Sequence, residues 1–231
     1  MARTYYGWHI FLGRREYAAA LEWQNRMVRY RQHGSLRDTL FYIEHPAVVT
    51  VGRDCHNVDL SRASGIETHR ITRGGGSTYH GPGQLVVYPI FDLTRRGRDL
   101  RRFVHDLEEG IIRALAEYGL SCGRREKYTG VWTGDRKIAS IGVAVTQWVS
   151  FHGAAINLTT DLNGFRVINP CGLSPETMTS LERETGRAVA LTDFAPHLTA
   201  AYADIFDTDF QEIDLEELAE IARLEESTES L

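Results

Sequence analysis

Cys171 lies between a proline and a glycine in "NPCGLS" (Asn169 to Ser174), in a loop rather than a regular element. A cysteine that only packs favours a helix or strand, so this setting points towards a reactive thiol. Cys55, in "GRDCHN", has a loop setting of its own and a histidine beside it. The residue types alone therefore leave both thiols open as nucleophiles. With Cys122 they make three cysteines at wide spacing and no CxxC pair, which indicates neither a zinc site nor a disulfide framework. A thiol of ordinary acidity is only a few per cent thiolate near neutrality, so a nucleophilic cysteine needs a cationic or basic neighbour.

Lys137 is the candidate neighbour. Of 26 basic residues only Lys127 and Lys137 are lysines. The difference matters because a lysine can lose its proton near neutral pH when desolvated, whereas an arginine cannot. Lys137 opens the apolar run "KIASIG", and its surface reading is a solvent-facing residue at the end of a hairpin. If it points inward it becomes a base or a thiolate partner.

A third feature is "RGGGSTYHGPGQ", Arg73 to Gln84. So few side chains bury little, so its bare backbone can approach a ligand or form a nest of N–H groups around an oxygen. A simple turn between strands is the rival reading. The string matches neither a P-loop nor a dinucleotide fingerprint, since Gly74, Gly75 and Gly76 lead into a strand. His80, His152 and Asn157 are weaker candidates, each equally readable as a hydrogen-bonded structural residue.

The elements that must position these residues are read from periodicity. Tyr17, Ala20, Leu21, Gln24, Met27, Val28 and Arg31 predict a helix over roughly residues 15–32, ended by Gly34. "DTLFYIEH", "AVVTVG", "IETHRIT" and "QLVVYPIF" read as strands, the last two bracketing the glycine loop. Leu100, Phe103, Val104, Leu107, Ile111, Leu115 and Tyr118 predict a long amphipathic helix closed by Gly119. "KYTGVWTG" and "RKIASIGVAVTQWV" read as a hairpin, followed by a strand in "HGAAINLTT". "LTDFAPHLTAAYADIF" predicts a late helix with Thr192 or Asp193 as its N-cap. Runs of strands with a few separate helices imply an α+β fold, a single domain with a mixed, largely antiparallel sheet flanked by helices.

The net charge of −5 is concentrated at the C-terminus. Residues 214–231 hold seven acids and one base, leaving 24 acids against 25 bases in the rest. The expected division is a catalytic domain over 1–213 and an acidic, solvated, partly helical tail over 214–231. Nothing suggests nucleic acid as a partner. No apolar run reaches the roughly 20 residues needed to span a bilayer, and no secretory signal opens the chain, so no membrane association and a cytoplasmic location are expected.

Taken in order, "RGGGSTYHGPGQLVVY", "KIASIG", "FHGAAINL" and "NPCGL" resemble the lipoyl(octanoyl) transferase family, whose fold is similar to that of the biotin and lipoate protein ligases. The likeness runs from about "EHPAVVTVGR" through "NPCGL". It implies transfer of octanoyl from acyl carrier protein to a lysine of the lipoyl domains of 2-oxoacid dehydrogenases and of the glycine cleavage H protein, with no cofactor. It also implies Cys171 as the acyl-thioester nucleophile and Lys137 as the group that lowers its pKa. Arg73, Gly74, Gly75, Gly76, Ser77, Thr78, Tyr79 and His80 would line the acyl site with Ser140, Ile141, Gly142, Gly153, Ala154 and Ala155. The alternatives are an ATP-dependent lipoate or biotin ligase, which needs a lysine but no nucleophilic cysteine, and a non-catalytic acyl-binding module. Arg95, Arg96, Arg98, Arg101 and Arg102 form a basic cluster that could receive an acidic donor, or simply be a solvated face.

Overall fold

The computed structural model describes residues 4–55, 63, 65–168 and 174–228. Eleven strands and five α-helices are assigned among them. In chain order they are β1 (Tyr5–Arg14), α1 (Tyr17–His33), β2 (Asp38–Glu44), β3 (Val48–Val51), β4 (Glu67–Arg70), β5 (Ser77–His80) and β6 (Gln84–Ile90). There follow α2 (Leu100–Ala116), β7 (Gly123–Arg125), β8 (Tyr128–Thr133), β9 (Arg136–Thr146) and β10 (Val149–Asn157). The chain continues through α3 (Leu181–Thr185), α4 (Leu191–Ile205), β11 (Thr208–Glu212) and α5 (Leu215–Thr228).

Eight strands form one sheet in the order β11-β1-β2-β6-β10-β9-β8-β7, and β4-β3-β5 form a smaller one. Only the β1–β2, β1–β11 and β3–β4 pairings are parallel, so the sheets are mixed and largely antiparallel, as expected. β1 and β11 are additions to the sequence reading. They are partners some 200 residues apart and form an edge with few fully buried positions, so neither carries a strong two-residue alternation.

Strand alternation sends side chains to two separate cores. Leu40 and Tyr42 of β2, Leu85 and Val87 of β6 and Ala154 of β10 pack under α2 and α4, against Phe103, Leu107, Ile111, Phe194 and Leu198. Phe41, Ile43, Val86, Tyr88 and Ala155 face the other way, against Ala20, Met27 and Val28 of α1 and Leu218 of α5. The small sheet has its own cluster, in which Val49, Val51 and Tyr79 meet Phe165, Ile168 and Met178.

Helix ends follow local chemistry. Gly34 ends α1 in the left-handed conformation, and the Asp99 carboxylate caps α2 by accepting from the Arg102 N–H. α4 starts earlier than predicted, at Leu191, with Ala190 at the cap and no capping side chain. Leu191 packs against the α2/α4 core, which draws Thr192 and Asp193 into the first turn. There Asp193 still favours the positive end of the helix dipole. No helix among the described residues is long and apolar enough to cross a membrane.

Candidate active site

A cleft of about 860 Å³ lies where the glycine loop meets β9, β10 and β6, a volume typical of small-ligand sites. Arg73 through Thr78, His80, Lys137, Ser140, Ile141, Gly142, Gly153, Ala154 and Ala155 all line it. Three of the four motifs thus converge on one space. Tyr79 does not line it; its ring packs behind the loop, edge-on to Phe165 with centroids 5.5 Å apart. Cys171 lies outside the described residues. Its described flanks are Ile168, buried in the small-sheet cluster, and the turn Pro175–Thr177 leading to Met178.

Lys137 points inward, at 6% exposure, so the surface reading fails. Its ammonium stands 5.6 Å from the centroid of the Trp132 ring, within cation–π range. The side chain lies along the backbone of β8 at Gly130. A Cβ there would come within 2.5 Å of Lys137 Cε, so a glycine is needed to seat this lysine. The Lys137 carbonyl accepts from the Thr179 N–H at 3.0 Å, and Met178 bridges to Lys137 as a parallel partner. The chain leaving the "NPCGLS" loop is therefore bound edge to edge with the lysine's own strand.

The glycine loop is held rather than floppy. Buried Arg73 donates through Nη2 to the Thr50 carbonyl and hydroxyl oxygens, both at 2.9 Å, and through Nη1 to the Gly74 carbonyl at 3.0 Å. The Gly74 N–H donates to the Val143 carbonyl at 3.1 Å. On the β9 side, a Cβ on Gly142 would fall 2.9 Å from Arg73 Cδ and 3.0 Å from the Gly74 carbonyl oxygen, so glycine there lets loop and sheet approach. Gly74 differs. Among the described residues a Cβ on it would meet nothing closer than 3.7 Å, so its bareness leaves room beside the loop.

A buried polar chain links the loop to the lysine. His80 Nδ1 donates to Gln84 Oε1 at 2.7 Å, and Gln84 Nε2 donates to Asn157 Oδ1 at 2.9 Å. Asn157 Nδ2 donates to the Thr179 carbonyl at 2.9 Å, and the Thr179 N–H returns to Lys137. His80, Gln84, Asn157 and Thr179 are all buried. Each amide has its oxygen and nitrogen engaged in the sense its chemistry demands, which makes the chain a rigid frame. The hydrogen-bonded structural reading of His80 and Asn157 is therefore met in the fold, and Gln84 and Thr179 join them unannounced.

Burial leaves the histidines neutral. It lowers His80 to about 3, with the cations and histidines around it adding to the shift, and lowers His152 to about 3, reinforced by Arg73. His152 is 2% exposed and takes a left-handed backbone, φ 56°, unusual for a strand residue. Its N–H donates to Gln24 Oε1 at 2.8 Å, while its Nδ1 has no hydrogen-bond partner among the described residues. Its Nε2 meets the Thr72 hydroxyl at 3.4 Å, and a strained backbone with one unpaired ring nitrogen on the cleft wall is the kind of feature that concentrates at functional sites.

Cys55 also lines the cleft, so geometry keeps it beside Cys171 as a thiol to test. Cys122 does not, and burial raises its thiol to about 12, which makes it inert. The arginine cluster divides. Arg96 is locked inward, pairing with Asp38 at 2.8 Å and donating to the Phe206 carbonyl, and is not a surface charge. Arg101 and Arg102 are exposed beside Leu100 and Val104, which line the cleft. Sequence reasoning missed Tyr17, Val86, Tyr88 and Met178, and also Arg53, Asp54, Lys127, Tyr128, Thr129 and Val143, all of which line the cleft. Val86, Tyr88, Tyr17 and Met178 are ordinary core residues by pattern; sheet register brings the first two to the site, and the start of α1 and the turn after the cysteine loop bring the others.

Residues 16–203 match the family model for the lipoyl protein ligase A/B catalytic domain. The chain belongs to this family. Among its relatives is an octanoyltransferase of Caldicellulosiruptor saccharolyticus, 43% identical over 217 residues that cover 90% of this chain and 92% of the relative. Another, from Solibacter usitatus, is 45% identical over 202 residues, 85% and 91% of the two chains. In fold, the chain is similar to lipoate-protein ligase A bound with ATP, with a TM-score of 0.72 at 21% identity over 94% and 93% of the two chains. It also resembles the biotin protein ligase of Aquifex aeolicus, with a TM-score of 0.51 at 11% identity over 85% and 68%.

Proposed function

We propose that the protein transfers an octanoyl group from a carrier-protein thioester to a lysine amine of lipoyl domains, by way of an acyl thioester on Cys171. Support comes from relatives that carry the octanoyltransferase name across nearly their whole length. The observation that carries the chemistry is Lys137, a buried lysine on the cleft wall whose backbone is bound to the segment just after the cysteine loop. The 2-oxoacid dehydrogenases and the glycine cleavage H protein supply the acceptor domains in this reading.

The proton account closes. The Lys137 ammonium favours the Cys171 thiolate, which attacks the donor carbonyl. A carbon–sulfur bond forms to Cys171, the one to the carrier breaks, and the departing thiolate takes a proton from Lys137. The acceptor's neutral amine then attacks the acyl-enzyme. The amide forms, Cys171 leaves as thiolate, and the amine's proton passes to neutral Lys137. The pair is restored with no net proton gained. The first transfer exchanges thioester for thioester, and the second is downhill to an amide. The frame of Arg73, the glycine loop and the His80–Thr179 chain keeps the two steps in one place.

The test is intact mass after incubation with octanoyl carrier protein, without ATP. A single octanoyl adduct that disappears on adding a lipoyl domain is expected. A protein that stays unmodified until ATP and magnesium are supplied would overturn the reading in favour of a ligase.

A further inference from the structure

A second cavity, of about 250 Å³, lies between α1 and the sheet, lined by Leu12, Ala20, Trp23, Met27, Phe41 and Ile43 among others. Among the described residues its lining is apolar apart from Arg15, Gln24 and the Tyr88 hydroxyl, and Tyr88 lines both this cavity and the cleft.

The sheet register shows how the two spaces are related. One row of paired residues on the α1 side runs Ser140 (β9), Ala155 (β10), Val86 (β6), Ile43 (β2). A neighbouring row begins with the pair Gly142 and Gly153 and continues, on β6 and β2, with the pair Tyr88 and Phe41. The β9, β10 and β6 members line the cleft, whereas the β2 members, Ile43 and Phe41, line the second cavity. The floor is thus Ser, Gly, Ala and Gly across two strands and rises at Val86 and Tyr88; beyond them Ile43 and Phe41 line the second cavity. β6 lies two strands from β9, with β10 between them.

Tyr88 is built to stay in place. Its hydroxyl donates to His45 Nε2 at 2.8 Å, and His45 Nδ1 donates to the Arg15 carbonyl at 2.8 Å, which fixes the tautomer. Tyr88 and His45 are both buried.

We infer that Tyr88 is the chain-length ruler of this enzyme: the wall that stops the acyl chain and closes off an apolar cavity that longer chains would otherwise enter. The inference rests on the acyl-transfer reading of the cleft. One methylene in an apolar pocket discriminates by about ten-fold or more, so a wall moved by several carbons should be plainly visible.

The experiment measures kcat/KM for small-molecule octanoyl, decanoyl and dodecanoyl thioesters with a lipoyl-domain acceptor. In Tyr88→Ala the dodecanoyl-to-octanoyl ratio should rise by about ten-fold or more. Tyr88→Phe, which keeps the wall and loses only the hydroxyl, should keep the wild-type ratio. Adding Ala20→Leu to Tyr88→Ala, which fills the cavity from α1, should bring the ratio back. Tyr88→Leu carries the same expectation in smaller measure should the alanine variant not fold. A folded, active Tyr88→Ala or Tyr88→Leu with the wild-type profile overturns the ruler. A wild-type protein that transfers no octanoyl in the same assay would instead overturn the acyl-transfer reading.

Discussion

The two faces of the large sheet are built from the same strands and do opposite things. Beneath α2 and α4 the side chains are large and apolar, and the fit is close enough that a Cβ on Gly110 would strike the Tyr202 ring at 2.2 Å. Towards α1 and the glycine loop the same strands present Ser140, Ala155 and two glycines, and the space left is a cleft edged by buried polar groups. One face maximises buried apolar area; the other gives up area for a cavity and a hydrogen-bonded frame. Stability and chemistry should therefore separate by face.

The largest separation is expected at Lys137. Lys137→Arg keeps the charge and removes the group that can accept a proton, so acyl transfer to the amine should fall by about 10²–10⁴-fold. The bulkier guanidinium against Gly130 should cost about 1–3 kcal/mol of stability, and alkylation of the cysteine by iodoacetamide in the folded variant should survive better than transfer. Near wild-type transfer would show that Lys137 is not the base.

The converse substitution lies on the packed face. Phe194→Ala empties a fully buried ring site and should cost about 3–5 kcal/mol in chemical denaturation. The surviving folded enzyme should keep its kcat/KM for octanoyl thioesters. A rate loss as large as that of Lys137→Arg would mean that the two faces are not independent.

Acid should act first on the cleft side. Burial lowers His45 to about 4 and His80 and His152 to about 3, from an ordinary value of 6.5. The unfolded chain therefore takes up protons that the folded chain refuses as pH falls below about 6.5. Stability is lost down to the folded values, at up to about 1.4 kcal/mol per pH unit for each histidine. Denaturation midpoints measured from pH 7 to 4 should fall accordingly. His152→Asn, which tolerates the left-handed backbone, should make the slope shallower. A slope unchanged by that substitution would deny the histidine its part.

The smallest effect is expected at the rim. Arg101→Glu with Arg102→Glu should raise KM for an octanoyl carrier protein and flatten its salt dependence, while a small octanoyl thioester is turned over as before. Equal loss with both donors would refute a docking role.

The legible and illegible parts differ in a consistent way. The glycine loop, the lysine strand, the main helices and the β8–β9 hairpin could be read locally, because φ freedom, caps and periodicity are properties of neighbouring residues. Tyr88, Thr179 and the parallel edge of β1 and β11 could not, because each acquires its role from a partner far away in sequence. Arg96 is the same lesson inverted. In the string "TRRGRDLRR" it is one arginine among five, and only its pairing with Asp38, 58 residues earlier, turns it inward. Lys137 needed both kinds of information. Its rarity marked it in the sequence, and its burial against Gly130 decided its direction.

The central claim is a covalent acyl-enzyme on Cys171, and peptide mapping of the octanoylated protein tests it most directly. The account predicts a hydroxylamine-labile octanoyl group on the peptide containing Cys171, retained in Cys55→Ala and Cys122→Ala and absent in Cys171→Ala. An adduct on Cys55, or full transfer activity in Cys171→Ala, would contradict it.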